Sequence, residues 1–461
     1  EHWTMTKTYR LNPPLSRFCL IACLATALAA SACGKTPADP GGEGAGGEAQ
    51  PVAAEAEPAG PAVAAAPAEA AKPATPVEPV EIVLWHAYRD AERTAIDQLI
   101  DAWNEKNPAI QVKALGIPFD ALVDKAQVAM PHGNGPDLLI FAHDKVGTWA
   151  RDGLIQPLGK FASKERLDRF LPQTVKPLVF ERAIYGLPLA FKSLVLFYNT
   201  ALVERAPATL DELVTAGKAF MAKANSGDEE GAFGLAYDAA DLYYHAAFLH
   251  GFGGLVWDEE AKALAIDSPA AIVAATTVRG LHKEHGIVPK GLSGFVVTAM
   301  FNDAKVPFVF NGPWFIAEID KAVKWAVAPM PTLANGKPMK PFLGSEAILL
   351  SAFTKKNAQA LEFVDYLTSD EAALTRFKVG RQMVANKKVY ENSRLASDPV
   401  VKVFRAQADN AVPMSNAVEA GVAWQPYSNA LRKTVFGDSE PAAAMHEAAA
   451  QARDALAKLR K

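Results

Sequence analysis

The sequence predicts an α/β fold of the doubly wound kind, and three observations carry that reading. Between residues 81 and 141, apolar runs suited to strands alternate with amphipathic stretches suited to helices. The run 137–141, Asp-Leu-Leu-Ile-Phe, follows the breakers Gly133, Gly135 and Pro136. Its unbroken apolar character suits a strand covered on both faces, as in a parallel sheet. Further on, helix starts such as Ser268-Pro269 recur between short apolar runs, so the same rhythm continues to the end of the chain.

Taken in order, 82–86 is a strand, and 90–107 is a helix with Ile96, Leu99, Ile100 and Trp103 on one face. Asn107-Pro108 ends it. A strand over 110–115, a helix over 120–130 and the strand 137–141 complete the first unit. The stretch 184–199 is long for one strand and has the length to pass from one lobe into another. Thr209-Leu-Asp-Glu212 has capping-box spacing and opens a helix to about 224. A strand over 232–237 and helices over 241–250 and 268–286 follow. Val306 to Phe310 reads as a buried strand that runs into Asn311-Gly-Pro-Trp314, which opens a helix. A strand over 346–352 and helices over 355–368, 370–380, 424–435 and 441–460 complete the pattern.

The body is preceded by a different kind of sequence. Lys7, Arg10 and Arg17 form a basic front, and 18–30 is apolar but too short to span a bilayer. Residues 1–33 therefore read as an export signal. Ala30-Ser31-Ala32-Cys33 resembles the lipobox of bacterial lipoproteins, with Ala30 where Leu is usual. Cleavage before Cys33 would leave it to be lipidated; an ordinary secretory signal cut near the same small residues is the alternative. Residues 34–80 hold 15 Ala, 9 Pro and 7 Gly and no aromatic residue, too little apolar surface to offset ordering entropy. They read as a disordered tether. All three cysteines, Cys19, Cys23 and Cys33, lie in the leader, so the body has no disulfide or thiol chemistry. The formal net charge of −4 gives no electrostatic footprint for nucleic acid.

In open α/β sheets, ligands sit at the carboxyl ends of strands. The 137–141 strand delivers Phe141, His143, Asp144 and Lys145 there. A ring beside an acid and a base can cover a sugar's C–H face and take its hydroxyls; a core Phe141 followed by solvated charges is the plainer alternative. His282 and His285 lie three apart on a helix without a third ligand, so no metal is expected. No P-loop, HExxH or Gly-x-Ser-x-Gly is present.

Five segments stand together in a known order. They are Gly135-Pro-Asp-Leu with Ala-His-Asp144, Tyr185-Gly-Leu-Pro-Leu, Phe197-Tyr-Asn199, Asn311-Gly-Pro-Trp314 and Leu367-Thr-Ser-Asp-Glu-Ala372. On these the chain resembles the extracellular solute-binding proteins of ABC importers, and among them the maltose/maltodextrin-binding kind, over about 80–459. The resemblance implies two α/β lobes joined by a hinge, with the ligand in the interlobe cleft. One lobe would hold 81–190 plus 345–392, the other 191–344 plus 393–461. It implies an exported, lipid-anchored, monomeric binder on the extracytoplasmic face of a bacterial membrane, with the periplasm as the expected compartment, a small carbohydrate as ligand, permease subunits as partners, no cofactor and no catalysis. A chemoreceptor-linked sensor, and a glycosidase built on Asp144 and Asp241, are the alternative classes.

Residue by residue, the resemblance places the family's cleft rings at Phe141, Trp314 and Trp424, its acid and base at Asp144 and Lys145, and its acid with two aromatics at Asp241, Tyr243 and Tyr244. Two positions depart. The crossover-strand carboxylate becomes Lys192, and an Arg four residues after the C-terminal Trp becomes Ser428. An ammonium only donates, whereas a carboxylate accepts. Lys192 would either pair with Asp144 or Asp241, leaving a neutral sugar site, or receive an acidic oligosaccharide.

Overall fold

The computed structural model describes residues 78–226 and 231–460. The expected leader 1–33 with Cys33, and residues 34–77 of the expected tether, lie outside them. The first strand, β1 (Val80–His86), begins at the tether's last residue. Helix α1 (Asp90–Lys106) follows, with Asp90 and Glu92 in its first turn, where acids complement the helix dipole. Its buried face is the predicted one, and the Asn107 side chain closes it on the Trp103 carbonyl at 2.9 Å. Strand β2 (Ile110–Gly116), helix α2 (Phe119–Ala129) and strand β3 (Leu138–Ala142) complete the first unit.

The stretch 184–199 divides at Ser193 and Leu194 into β4 (Gly186–Lys192) and β5 (Val195–Asn199). These two strands belong to different sheets. The remaining strands that frame the site are β6 (Leu235–Ala236), β7 (Phe308–Asn311), β8 (Trp325–Ala328), β9 (Phe342–Leu350) and β10 (Val412–Pro413). Helix α3 (Leu242–Gly251) follows β6, and helix α4 (Trp424–Leu431) follows β10.

In the first sheet β1 runs parallel to both β2 and β3, and β9 lies antiparallel between β3 and β4. In the second sheet β5 lies antiparallel between β7 and β8, and β6 runs parallel to β7. Each sheet anchors one lobe. Ile82, Leu84, Ile140, Ile348 and Phe363 pack in the first core, and Leu196, Tyr237, Phe248, Phe308 and Phe310 in the second. Strand β9 is a second crossover: Phe342 at its start belongs to the second core and Leu350 at its end to the first.

Several expectations shift. β4 stays in the first sheet to Lys192, past the expected boundary at 190, and β10 joins that sheet although 393–461 was assigned to the other lobe. The strand expected over 232–237 shortens to β6. The helix expected after Asn311-Gly-Pro-Trp314 is only one 3₁₀ stretch, Pro313–Ala317, because Gly312 and Pro313 start it beside a bulky ring. Helices Gly294–Asn302 and Pro399–Asp409 are additional.

Candidate functional site

A cavity of about 620 Å³ opens between the two sheets, within the usual range for small-ligand clefts. Its walls come from the carboxyl ends of β1, β3 and β4, from the start of α2, and from α3, α4 and the 3₁₀ stretch after β7. Eight of the nine expected binding residues border it: Asp144, Lys145, Lys192 and Asp241, with Tyr243, Tyr244, Trp314 and Trp424.

Phe141 does not. It is 1% exposed and packs in the core against Trp149, because β3 is covered on both faces and its last ring points into one of them. The ring on the cavity wall is instead Phe119, 53% exposed and stacked on Phe141 at 4.6 Å. His143 is also absent from the wall. It is fully buried: its Nδ1 accepts from the Ser345 backbone N–H at 2.9 Å, and its Nε2–H donates to the Met414 carbonyl at 2.7 Å. Burial pushes its pKa down, so it is a neutral tie between β3, β9 and the segment after β10.

The opposite wall is aromatic. Trp314 lies over Gly312, where even a Cβ would come within 2.2 Å of the indole; the glycine of Asn311-Gly-Pro-Trp314 exists to let the ring fold back. Tyr243 sits 6.1 Å from Trp314, centre to centre, and 5.9 Å from Tyr244. Trp424, the first residue of α4, stacks on Phe342 of β9 at 6.1 Å and 17°. The Tyr243 hydroxyl is buried with no hydrogen-bond partner among the described residues. A buried unpaired hydroxyl is costly, and a ligand hydroxyl or carbonyl would relieve it.

The polar groups are organised tightly. Asp241 caps α3, accepting from the Tyr243 N–H at 2.6 Å. Burial, against the pull of that N–H, raises its pKa to about 6. Ser428, the second departure, is buried and its hydroxyl accepts from the Leu242 N–H at 3.3 Å, so that position now supports the helix. Asp144 pairs with Lys145 at 2.8 Å.

Lys192 pairs with neither Asp144 nor Asp241. Its Nζ lies 3.1 Å from Glu346 and 3.2 Å from Glu92. The Tyr88 hydroxyl donates to Glu346 at 2.7 Å, and the Gln382 amide to Glu92 at 3.2 Å. Burial pulls the Lys192 ammonium down, but the two carboxylates outweigh it and hold its pKa above an ordinary lysine's. Glu92 is raised, by burial and by Glu346, against the pull of Lys192. Arg89, also on the wall, reaches Glu318, which follows the 3₁₀ stretch in the second lobe.

Tyr88, Glu92, Phe119 and Glu346 were not legible as site residues. Tyr88 and Phe119 follow the carboxyl ends of β1 and β2, so the strand-end rule marks their neighbourhood but not which ring turns into the cavity. Glu346 sits mid-strand, and only its register opposite Ala142 brings it to the end of β3. Among the described residues no group of three His, Cys, Asp or Glu is placed to hold a metal, and no helix is long and apolar enough to cross a membrane.

The family model described as "Bacterial extracellular solute-binding protein" matches residues 86–374, more than half the chain and spanning both sheets. The chain belongs to this family. It is 25% identical to the galactooligosaccharide-binding protein of Bacillus subtilis over 362 residues, 76% of this chain and 84% of that one. To a maltooligosaccharide ABC transporter solute-binding lipoprotein of Streptococcus pneumoniae it is 27% identical over 342 residues, 71% of this chain and 79% of that one. The solved maltose-maltodextrin binding protein of Alicyclobacillus acidocaldarius superposes with a TM-score of 0.72 at 26% identity, covering 81% of this chain and 100% of that one. The likeness spans both lobes, so the two-lobed, hinged α/β fold expected from the motifs is the fold of this chain.

Proposed function

We propose that this chain is an exported, lipid-anchored receptor that captures a maltodextrin-type oligosaccharide in its interlobe cleft and delivers it to an ABC importer. The observation that carries the reading is the meeting of Tyr243, Trp314 and Trp424, from three distant parts of the chain, on one wall of a cavity whose other wall is rich in carboxylates. Sugars present apolar C–H faces and hydroxyl edges. Rings remove the faces from water, and carboxylates accept the hydroxyls. The unpaired Tyr243 hydroxyl fits the same ligand chemistry. The relatives named for galactooligosaccharide and maltooligosaccharide support the sugar class. The site acts by binding and orienting, with Trp314 and Trp424 as sugar platforms, Phe119 as a third, and Asp144, Asp241 and Glu346 as hydroxyl acceptors.

Titration calorimetry with maltotriose tests it. The chain is expected to bind one equivalent, and Trp314→Ala to weaken binding by roughly 10–100-fold, the effect of losing one buried ring. A Trp314→Ala variant that binds as tightly as the parent removes the aromatic wall from the mechanism. A parent that binds no maltotriose sinks the maltodextrin reading.

A further inference from the structure

Three cations border the cavity, and each is already taken. Arg89 is held by Glu318, Lys145 by Asp144, and Lys192 by two carboxylates at once. The cavity wall carries five carboxylates, Glu92, Asp124, Asp144, Asp241 and Glu346, against those three cations. An incoming anion therefore meets no free positive group and a surplus of negative ones.

The geometry around Lys192 is the sharpest part of this balance. Glu92 comes from α1, Lys192 from the end of β4 and Glu346 from the middle of β9, and their side chains are only 11%, 21% and 12% exposed. Glu346 uses one oxygen on Lys192 and the other on the Tyr88 hydroxyl. Glu92 uses Oε1 for both Lys192 and Gln382, which leaves its Oε2 for another donor. A sugar carboxylate that reached the remaining N–H of Lys192 would bring a third negative charge to one ammonium, beside two nearly buried acids. A sugar hydroxyl adds no charge there.

We propose that Glu92 and Glu346 are the specificity-determining pair of this cleft: by clamping Lys192 between them they outweigh its charge and confine the site to oligosaccharides without acid groups. The lysine then acts as a positioning residue for two carboxylate acceptors. The proposal rests on the carbohydrate reading above and names which sugars that reading admits.

The test compares maltotriose with a trisaccharide of the same linkage carrying a C6 carboxylate on one glucose, titrated into the full chain, Glu92→Gln and Glu346→Gln. The parent should bind maltotriose at least ~100-fold more tightly than the uronate, the scale of a buried like-charge contact. Each Gln variant removes one of the two negative charges that offset the ammonium and should narrow that ratio to about tenfold or less, by strengthening uronate binding. A parent that takes both sugars equally overturns the selector and leaves the carbohydrate reading standing. A parent that excludes the uronate while both Gln variants exclude it as strongly overturns the assignment to this pair. A parent that binds neither sugar removes the maltodextrin reading and the selector with it. A ligand-free readout accompanies these: the side-chain nitrogen shift of Lys192 should titrate above an ordinary lysine in the parent and lower in each variant. An ordinary-lysine titration in the parent overturns the clamp even if a variant fails to fold.

Discussion

Phe119 and Phe141 stack ring on ring, yet they have opposite tasks. Phe141 is sealed in the core against Trp149, and Phe119 faces the cavity with half its surface free. Substitution should separate them. Phe141→Ala leaves a core void and should lower stability by about 3–5 kcal/mol in denaturant melts. Phe119→Ala removes a wall ring and should weaken maltotriose binding by about tenfold while leaving the denaturation midpoint nearly unchanged. Equal stability losses for the two would mean that Phe119 is core as well. The same pair shows what the sequence could and could not reveal. The end of β3 was legible as a site because Gly-Pro breakers and an apolar run mark it. Which of two aromatic rings turns into the cleft depends on the packing of α2 over β3, which no local pattern encodes. Lys192 is parallel: its charge was visible, but its partners lie 100 and 154 positions away and come together only through the crossover strands.

At the scale of elements, strands and helices with a clear period were readable, and those without one were not. α1 was legible because Ile96, Leu99, Ile100 and Trp103 repeat at helical spacing. Helix Gly294–Asn302 was missed because its sequence is apolar nearly all round, with Phe295 left 84% exposed. Helix Pro399–Asp409 did carry a signal, Asp398 as cap before Pro399. Helix α3 gives the element-scale prediction. It buries His245 and His250, and burial lowers their pKa values to about 3 and about 4. Both groups are neutral when folded and titrate near 6.5 when unfolded. The unfolded chain therefore binds more protons between these values, so stability is present above about pH 6.5 and is lost as pH falls toward 4 and below. Asp241, raised to about 6, works in the opposite sense: it favours the folded state below the ordinary value of 3.8, and that contribution fades as pH rises through about 6. Both nitrogens of His245 lack partners among the described residues. His245→Leu should therefore flatten the acid loss and hold or raise stability at pH 7, since it removes unpaired polar atoms at similar volume. Melting temperatures from pH 4 to 8 that fall equally in parent and variant would exclude His245 as a source.

For the whole molecule, two expectations follow from the two lobes and the leader. The Ala-Ser-Ala-Cys33 sequence predicts a membrane-partitioned protein that Cys33→Ser releases or leaves unprocessed; a parent found free in the soluble fraction, with its N-terminus away from Cys33, would sink the anchor. The second concerns closure. Arg89 follows β1 in the first lobe and Glu318 follows the 3₁₀ stretch in the second, and their ion pair bridges the cleft mouth beside the cavity. Glu318 is further steadied by the Thr298 hydroxyl at 2.6 Å. The chain crossings of β4 into β5 and at the start of β9 permit a hinge between the lobes, beside an apolar cluster that joins Phe191 and Val384 of the first to Phe197 and Val309 of the second. Maltotriose should therefore reduce the radius of gyration in solution scattering, because Phe119 and Glu346 on one lobe and Trp314 and Trp424 on the other must all reach it. Arg89 is 64% exposed, so its pair with Glu318 contributes at most about 1 kcal/mol to the closed state. Arg89→Ala should loosen maltotriose by no more than about fivefold, with the effect shrinking further at high salt. Scattering that does not change on saturation would mean that the lobes are fixed as they stand, and the crossings would then be connections only.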